Sequence, residues 1–352
     1  MTTPDAFLPS PEDAVPLQDQ QSIPANRQRK SSRQSTVDDF IAQMKETADK
    51  FLRDHASRAD VKMVATAMRE LRYALNIFAH YRHIPKITIF GSARTPAHHP
   101  SYDQAVAFSK RMVDIGYMVI TGAAGGIMEA GHVGAGKQHS IGVNILLPFE
   151  QAANHVIAGD FKLVHLKYFF TRKLMLLKES HAVAVFPGGF GTHDETFEVL
   201  TLMQTGKNPL LPLVLIEEPG GDYWKHWLAF VKETLLSRGY ICPADLSLFR
   251  ITDSIDEAVQ EFQQFYRVYH SMRYVHDQLV IRLKQRISEK TQRVMNDQFK
   301  DILASGTIEQ TQALPAEASD EHIAHLPRLR FHFNKKAVGR LRQMVDYLNQ
   351  HG

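Results

Sequence analysis

Short apolar segments alternate with longer amphipathic segments through the middle of this chain. The apolar segments at residues 84–90, 117–121 and 182–186 are each followed within two residues by glycine. Strands that alternate with helices of ten or more residues form βαβ units, which build a parallel sheet with helices on both faces. The pattern therefore predicts the α/β class, with a Rossmann-like doubly wound parallel sheet and right-handed crossovers.

The same alternation predicts the remaining elements of this sheet. Further strands are expected at residues 140–147, 211–216 and 246–251. Helices are expected at residues 102–115, 128–137, 170–179, 193–204, 223–237 and 254–269.

The segments outside the sheet predict a four-part organisation. Residues 1–36 are rich in Pro, Ser and Gln without apolar periodicity, which is typical of a disordered tail. Residues 37–83 hold two amphipathic helices, and residues 84–270 form the nucleotide-binding domain. Residues 271–352 are expected to be a C-terminal, mainly helical extension.

Two helices are predicted within that extension. The first is a long polar helix after Ser271, because apolar side chains recur at helical spacing. Its stripe consists of Met272, Val275, Leu279, Leu283 and Ile287. A closing helix is expected at residues 336–348.

Composition excludes several classes of protein. Lys plus Arg number 41 and Asp plus Glu 38, so the net charge of +3 argues against a dedicated nucleic-acid binder. No apolar run approaches the ~20 residues that span a bilayer. The single cysteine, Cys242, forms no internal disulfide, and no signal peptide is visible, so we expect a cytoplasmic protein without membrane or nucleic-acid partners. Histidines and the cysteine lack metal-ligand spacing, so no metal is expected.

Clusters of small residues follow three of the predicted strands, at residues 91–94, 122–126 and 187–192. In a parallel sheet these positions lie at one edge, where ligands bind. Glycine lets the backbone approach an anion, and a following helix supplies free N–H groups, so the clusters indicate a phosphate site. Residues 131–138 come near to the triphosphate-binding loop motif but do not match it, because Gln138 stands where the motif requires Ser or Thr.

The segment 170–195 carries the strongest functional signal. Arg172 and Lys173 begin one predicted helix, and Glu195 lies in the first turn of the next. Two interpretations of Glu195 stay open from spacing alone. It closes a capping box with Thr192, or it faces a phosphate-binding pocket together with Arg172.

Residues 187–195, Pro-Gly-Gly-Phe-Gly-Thr-His-Asp-Glu, resemble the PGGxGTxxE signature of the LONELY GUY (LOG) family, also labelled lysine decarboxylase-like. The resemblance covers residues 84–270. It includes residues 91–92, 122–130, 147–150 with Asn154, and 169–173. The long flanking segments resemble the family's longer bacterial branch.

This resemblance implies an enzyme that hydrolyses the N-glycosidic bond of a nucleoside 5′-monophosphate, of the AMP or cytokinin ribotide type, to a free base and ribose 5-phosphate. It implies Arg172 and Glu195 as catalytic residues, a homodimer or higher homo-oligomer, and no cofactor. The substrate-binding residues that we expect are Gly91, Ser92, Gly122, Gly125, Gly126, Glu129, Lys173, Gly188, Gly189, Gly191 and Thr192.

Two departures from the family pattern bear on the pocket. Ala123 and Ala124 stand in the second glycine loop, and their methyl groups are expected to narrow the pocket. His193 replaces an aliphatic residue of the family pattern, a change that is expected to affect which base is preferred. The alternative function is a nucleotide-binding sensor or carrier that uses the same pocket without turnover.

Overall fold

The computed structural model describes residues 36–146, 152–317 and 320–352. The expected disordered tail, apart from Thr36, and residues 147–150 of the family resemblance lie outside the described residues. The chain divides into two compact units, one ending at Val61 and the other spanning Lys62–Gly352.

The two helices expected before the sheet are present as α1 (Val37–Arg53) and α2 (Arg58–Ala79). A capping box begins α1, in which Asp39 N–H donates to Thr36 Oγ1 at 3.2 Å and Thr36 N–H donates to the Asp39 carboxylate at 2.7 Å. No residue of α1 is buried, whereas α2 buries Ala74 and Phe78. The apolar periodicity thus predicted both helices.

A seven-stranded parallel sheet forms the centre of the larger unit. Its strands are β1 (Lys86–Phe90), β2 (Met118–Thr121), β3 (Ser140–Ile145), β4 (Leu163–Leu166), β5 (Ala182–Val185), β6 (Leu213–Ile216) and β7 (Arg250–Thr252). The order across the sheet is β4-β3-β2-β1-β5-β6-β7, so the strand order reverses between β1 and β5. This reversal is the topological switch point, and a ligand site is expected outside the carboxyl ends of these two strands.

Helices pack on both faces of this sheet, which confirms the predicted α/β class. They are α3 (Pro100–Asp114), α4 (Ile127–Ala135), α5 (Phe169–Lys178), α6 (Phe190–Gln204), α7 (Tyr223–Phe230, continued by a π-helical turn) and α8 (Ile255–Phe265). Most strands are buried on both faces, and for this reason they read as continuous apolar runs in the sequence.

Two parts of the sheet differ from the prediction. The edge strand β4 was not predicted, because the exposed His165 interrupts its apolar run, whereas β5 and β6, of the same length, are unbroken apolar runs. The strand predicted at residues 246–251 begins later, at Arg250, since residues 243–248 form a 3-10 helix. Pro243 begins that helix, and Cys242 N–H donates to the Asp245 carboxylate at 2.9 Å.

The prediction of a long helix after Ser271 is wrong. This segment is a β-hairpin of β8 (Tyr269–Val275) and β9 (Gln278–Leu283). His276, with φ +55°, lies in the two-residue turn between these antiparallel strands. Leu279, Val280 and Ile281 are all buried, so the three-to-four spacing of apolar residues here did not reflect a helix.

The C-terminal extension is therefore mixed rather than mainly helical. Its four-stranded antiparallel sheet has the order β10-β11-β9-β8. The remaining elements are α9 (Glu289–Gln298), β10 (Leu303–Thr311), β11 (Arg328–Phe333) and α10 (Val338–His351), of which α10 is the predicted closing helix. The expected domain boundaries at residues 83/84 and 270/271 stay predictions.

A buried ion cluster holds the second sheet to the loop before β11. Arg328 and Glu317 are both buried, and Arg328 Nε donates to Glu317 at 3.3 Å. Arg282 Nη2 lies 2.7 Å from the other carboxylate oxygen of Glu317. Burial acts to raise the pKa of Glu317, but hydrogen bonds and the two arginine charges outweigh it and lower the pKa. The carboxylate is thus kept ionised in the interior.

Removal of this carboxylate should destabilise the fold strongly. Glu317→Gln leaves the buried Arg328 guanidinium group without its counter-charge, while Arg282 keeps its contact with Asp320 at 2.6 Å. We expect a loss of about 3–5 kcal/mol in the free energy of unfolding. Urea denaturation measures this loss. Glu289→Gln is the control, because Glu289 pairs with Arg293 on an exposed face of α9. Equal stability of the two variants would contradict the role given to the cluster.

Candidate active site

A cavity of about 720 Å³ lies at the carboxyl ends of β1, β2 and β5. Among the expected site residues, its walls include Gly91, Ser92, Gly122, Arg172, Gly188, Gly189, Gly191, Thr192 and Glu195. Gly125, Gly126, Glu129 and Lys173 do not line it. The structure thus gathers most of these residues around one cavity, while their roles in binding and catalysis stay predictions.

The glycine loops meet at distances that exclude side chains. A Cβ atom on Gly126, whose φ is +63°, would lie 2.2 Å from the Ser92 carbonyl oxygen. A Cβ atom on Gly188 would lie 2.1 Å from Thr192 Oγ1 and 2.9 Å from Ser92 N. Gly126 therefore supports the site by packing beneath it, although it does not line the cavity.

The expected narrowing of the pocket by Ala123 and Ala124 is wrong. Both residues are buried, and neither lines the cavity. The backbone of Ala123 is left-handed, with φ +63°, and its side chain packs with Ile157 and Leu163 instead. The direction of the backbone, which the sequence pattern did not reveal, turns this methyl group into the interior.

A buried polar network holds the loop that contains Ala123. Asn154 Nδ2 donates to the carbonyl oxygens of Ala123 and Ala124, each at 3.1 Å. His132 contacts Asn154 and the Thr121 hydroxyl, and burial lowers the pKa of His132 to about 4. A neutral imidazole at physiological pH therefore forms part of the support for the loop.

The structure decides between the two interpretations of Glu195. Helix α6 begins at Phe190 with Gly189 as its N-cap residue, so Glu195 lies in the second turn, not the first as predicted. A capping box needs the acidic residue at the third helical position, which Thr192 occupies. The capping interpretation is therefore wrong, and the carboxylate lines the cavity.

Glu195 faces Arg172 inside the cavity. Arg172 Nη1 lies 3.9 Å from the Glu195 carboxylate, and the two side chains are only 12% and 16% exposed. Burial raises the pKa of Glu195 to about 7, although the charges of Arg172 and Lys173 oppose this. Arg172 Nε donates to the Val143 carbonyl oxygen at 3.1 Å, which orients the guanidinium group. The site thus holds a carboxyl group that exchanges its proton near neutral pH.

Lys173 and Glu129 have partners outside the cavity. Lys173 Nζ lies 2.8 Å from Asp194 and 2.9 Å from Glu198, and these contacts join α5 to α6. Glu129 lies 2.9 Å from His155 Nδ1. Lys173 therefore contacts the helix that carries Glu195 and does not line the expected pocket.

Several further residues of the cavity wall were not predicted to bind substrate, although residues 91–94 and His193 were expected near the pocket. The further residues are Phe90, Ala93, Arg94, Met128, Phe190 and His193. Each lies within three residues of a glycine in one of the loops, so proximity to these glycines was the available signal.

The described residues contain no group of three or more His, Cys, Asp or Glu side chains placed to hold a metal ion. Within the same residues, no helix is both long and apolar enough to cross a membrane.

Residues 124–262 match the model of a family described as "Possible lysine decarboxylase". Over 132 residues, the chain is 30% identical to the cytokinin riboside 5′-monophosphate phosphoribohydrolase LOG1 of Arabidopsis thaliana. This alignment covers 37% of the chain and 58% of LOG1, less than two thirds of that protein. An enzyme of the same name from Rhodococcoides fascians is 28% identical over 53% of the chain and 93% of its own length.

Among solved structures, the molybdenum cofactor carrier protein of Chlamydomonas reinhardtii is similar to this chain. The identity is 20% and the TM-score is 0.37, over 52% of this chain and 98% of that protein. A likeness at this level does not support an inference about function.

The raised pKa of Glu195 predicts a pH-dependent cost to stability. A carboxyl group whose pKa is raised on folding contributes stability below its unfolded pKa, and this contribution is lost as pH rises through the folded value of about 7. Glu195→Gln, which does not ionise, should therefore be more stable than the parent protein at pH 8, by on the order of 2–3 kcal/mol. The difference should vanish near pH 4. Chemical denaturation at both pH values measures it, and equal stability at pH 8 would contradict the assignment.

Substitution by alanine should have different effects at the glycines of the loop formed by residues 187–192. Gly188→Ala places a methyl group against Thr192 and Ser92, so it should lower the melting temperature. Gly191→Ala meets no atom within 4 Å and should fold normally, while its methyl group occupies the open space where the sequence predicts a phosphate group. Calorimetry with ribose 5-phosphate should then show weaker binding to a stable Gly191→Ala protein. A normal melting temperature for Gly188→Ala would contradict the close approach of the loops.

Proposed function

Because the chain belongs to the LONELY GUY family, we propose that it hydrolyses the N-glycosidic bond of a nucleoside 5′-monophosphate. The products are a free base and ribose 5-phosphate, and the substrate is of the AMP or cytokinin ribotide type. The observation that carries this proposal is the buried Glu195 facing Arg172 beside the glycine loop at the start of α6. Phosphate binding alone would not require this pair.

The start of α6 suits the phosphate group of such a substrate. The first N–H groups of a helix have no partner within it, and the helix dipole favours an anion there. Gly189 and Gly191 have open space where side chains would stand, so an anion can approach this backbone closely. The phosphate contacts then hold the sugar near Glu195 and supply binding energy remote from the bond that breaks.

Glu195 suits the chemistry at the sugar. Cleavage of the C1′–N bond leaves positive charge on the ribose, as in glycoside hydrolysis. The bond's electron pair leaves with the base, the oxygen of a water molecule bonds to C1′, and ionised Glu195 accepts a proton of that water. The departing base then takes up one proton, which leaves Glu195 ionised again. A pKa of about 7 keeps a substantial fraction of Glu195 ionised at neutral pH and makes it an effective base.

Arg172 completes the proposed site through charge and geometry. Its hydrogen bond to Val143 fixes the guanidinium group, whose Nη1 atom faces Glu195. In this position it orients the carboxylate and attracts the phosphate group. Lysine would lack the planar fork of donors that serves both partners.

A homodimer in the cytoplasm is part of the same proposal. Helix α5, which carries Arg172, exposes the apolar side chains of Phe169, Phe170 and Leu174, each about half accessible. Such a patch next to a site is typical of a protein interface and supports a second copy at this face.

Product analysis tests the proposed activity. The protein is incubated with AMP, GMP, CMP, UMP, IMP and cytokinin ribotides, and free base and ribose 5-phosphate are quantified by chromatography. Glu195→Gln should lower the turnover of the best substrate by roughly 10²–10⁴-fold, the usual contribution of a general base. Arg172→Lys should also lower it, because the fork of donors is lost.

Glu289→Gln, on α9 away from the cavity, is the matched control and should retain full activity. Undiminished turnover in Glu195→Gln would contradict the catalytic assignment. Tight binding of a monophosphate without release of base would favour the alternative, a nucleotide sensor or carrier.

A further inference from the structure

The hydroxyl group of Tyr223 contacts the backbone of the glycine loop. Tyr223 is the first residue of α7, and its hydroxyl donates to the Gly188 carbonyl oxygen at 2.5 Å. The same oxygen atom lies 2.7 Å from His193 Nε2. Because the single hydroxyl hydrogen is used on Gly188, His193 must donate from Nε2 to the phenolic oxygen. The contacts therefore form a chain from His193 through Tyr223 to Gly188.

Aromatic packing holds this chain in place. The rings of His193 and Tyr223 stack with 5.8 Å between centroids and an angle of 15°. Trp224 packs edge-on against Tyr223 at 4.8 Å, is fully buried, and donates from its ring nitrogen to the Ile216 carbonyl oxygen. Tyr223 is thus positioned by contacts at the end of β6 and the start of α6.

The peptide between Gly188 and Gly189 needs such a contact. Glycine populates positive and negative φ about equally, so a peptide between two glycines reverses easily. In a planar trans peptide the C=O and N–H groups point in opposite directions. A Gly188 carbonyl held toward α7 therefore directs the Gly189 N–H away from α7. A reversed peptide would instead present a carbonyl oxygen to a bound anion.

We propose that Tyr223, oriented by His193, is a positioning residue for binding of the substrate's phosphate group. It holds the Gly188–Gly189 peptide so that the loop presents an N–H donor rather than a carbonyl oxygen to the phosphate. The inference rests on the proposed function for the identity of the substrate. Its test separates phosphate binding from release of the base.

Tyr223→Phe tests this role, because it removes the hydroxyl group and keeps the ring. Calorimetry with ribose 5-phosphate should show affinity reduced by roughly five- to tenfold, as expected for one lost hydrogen bond. With the best nucleoside monophosphate, KM should rise by a similar factor while kcat changes less than twofold. Binding of adenosine, which lacks the phosphate group, should not change.

Tyr266→Phe is the matched control. The Tyr266 hydroxyl also donates to a backbone carbonyl oxygen, that of His181 at 2.7 Å, but neither residue lines the cavity. This variant should retain the affinity of the parent protein for ribose 5-phosphate. Melting temperatures of the two variants show whether both remain folded.

His193 supplies a second, independent pair of variants. His193→Leu removes the donor to Tyr223 and should weaken binding of ribose 5-phosphate, whereas His193→Gln retains an N–H donor and should restore it. Unchanged affinity in a folded Tyr223→Phe protein would overturn the inference, as would failure of His193→Gln to exceed His193→Leu. If the parent protein binds ribose 5-phosphate but releases no base, the proposed function fails, and the loss of affinity in Tyr223→Phe still supports the inference.

Discussion

The close approach of three backbone loops at the carboxyl ends of β1, β2 and β5 is the constraint on which the site depends. Ser92 N–H donates to the Pro187 carbonyl oxygen at 3.1 Å, and Ile127 N–H donates to the Ser92 carbonyl oxygen at 2.9 Å. Gly126 and Gly188 have no room for a Cβ atom at these contacts. The meeting of the loops sets where α4 and α6 begin, and so sets the position of the cavity.

The same packing accounts for the chemistry available at Glu195. Helices α5 and α6, joined by the contacts of Lys173, bury the carboxyl group beside Arg172. Removal from water raises its pKa, and the neighbouring cations moderate the rise. A group suited to accept a proton near neutral pH is therefore also one that lowers stability when it ionises. Such a trade between stability and function is typical of active sites.

The parallel sheet was predictable because its signal is local. Buried strands such as β1 and β5 are apolar runs that end in glycine, and the helices between them show a clear period. The hairpin of β8 and β9 was not predictable in this way, because its apolar residues fit a helical spacing and one short turn at His276 decides the outcome. Pairing with β11 stabilises it as a strand, and this contact lies about fifty residues away along the chain.

The sequence by itself determined the fold class, the glycine loops and the presence of Arg172 and Glu195 near one edge of the sheet, because these follow from local patterns of apolar and small residues. Only the tertiary structure decided that α6 begins at Phe190, that the Ala123 methyl group turns inward, and that Lys173 contacts Asp194 and Glu198. It also brought Tyr223 to Gly188. These features depend on the direction of backbone and side chains between elements distant in sequence, which no local pattern records.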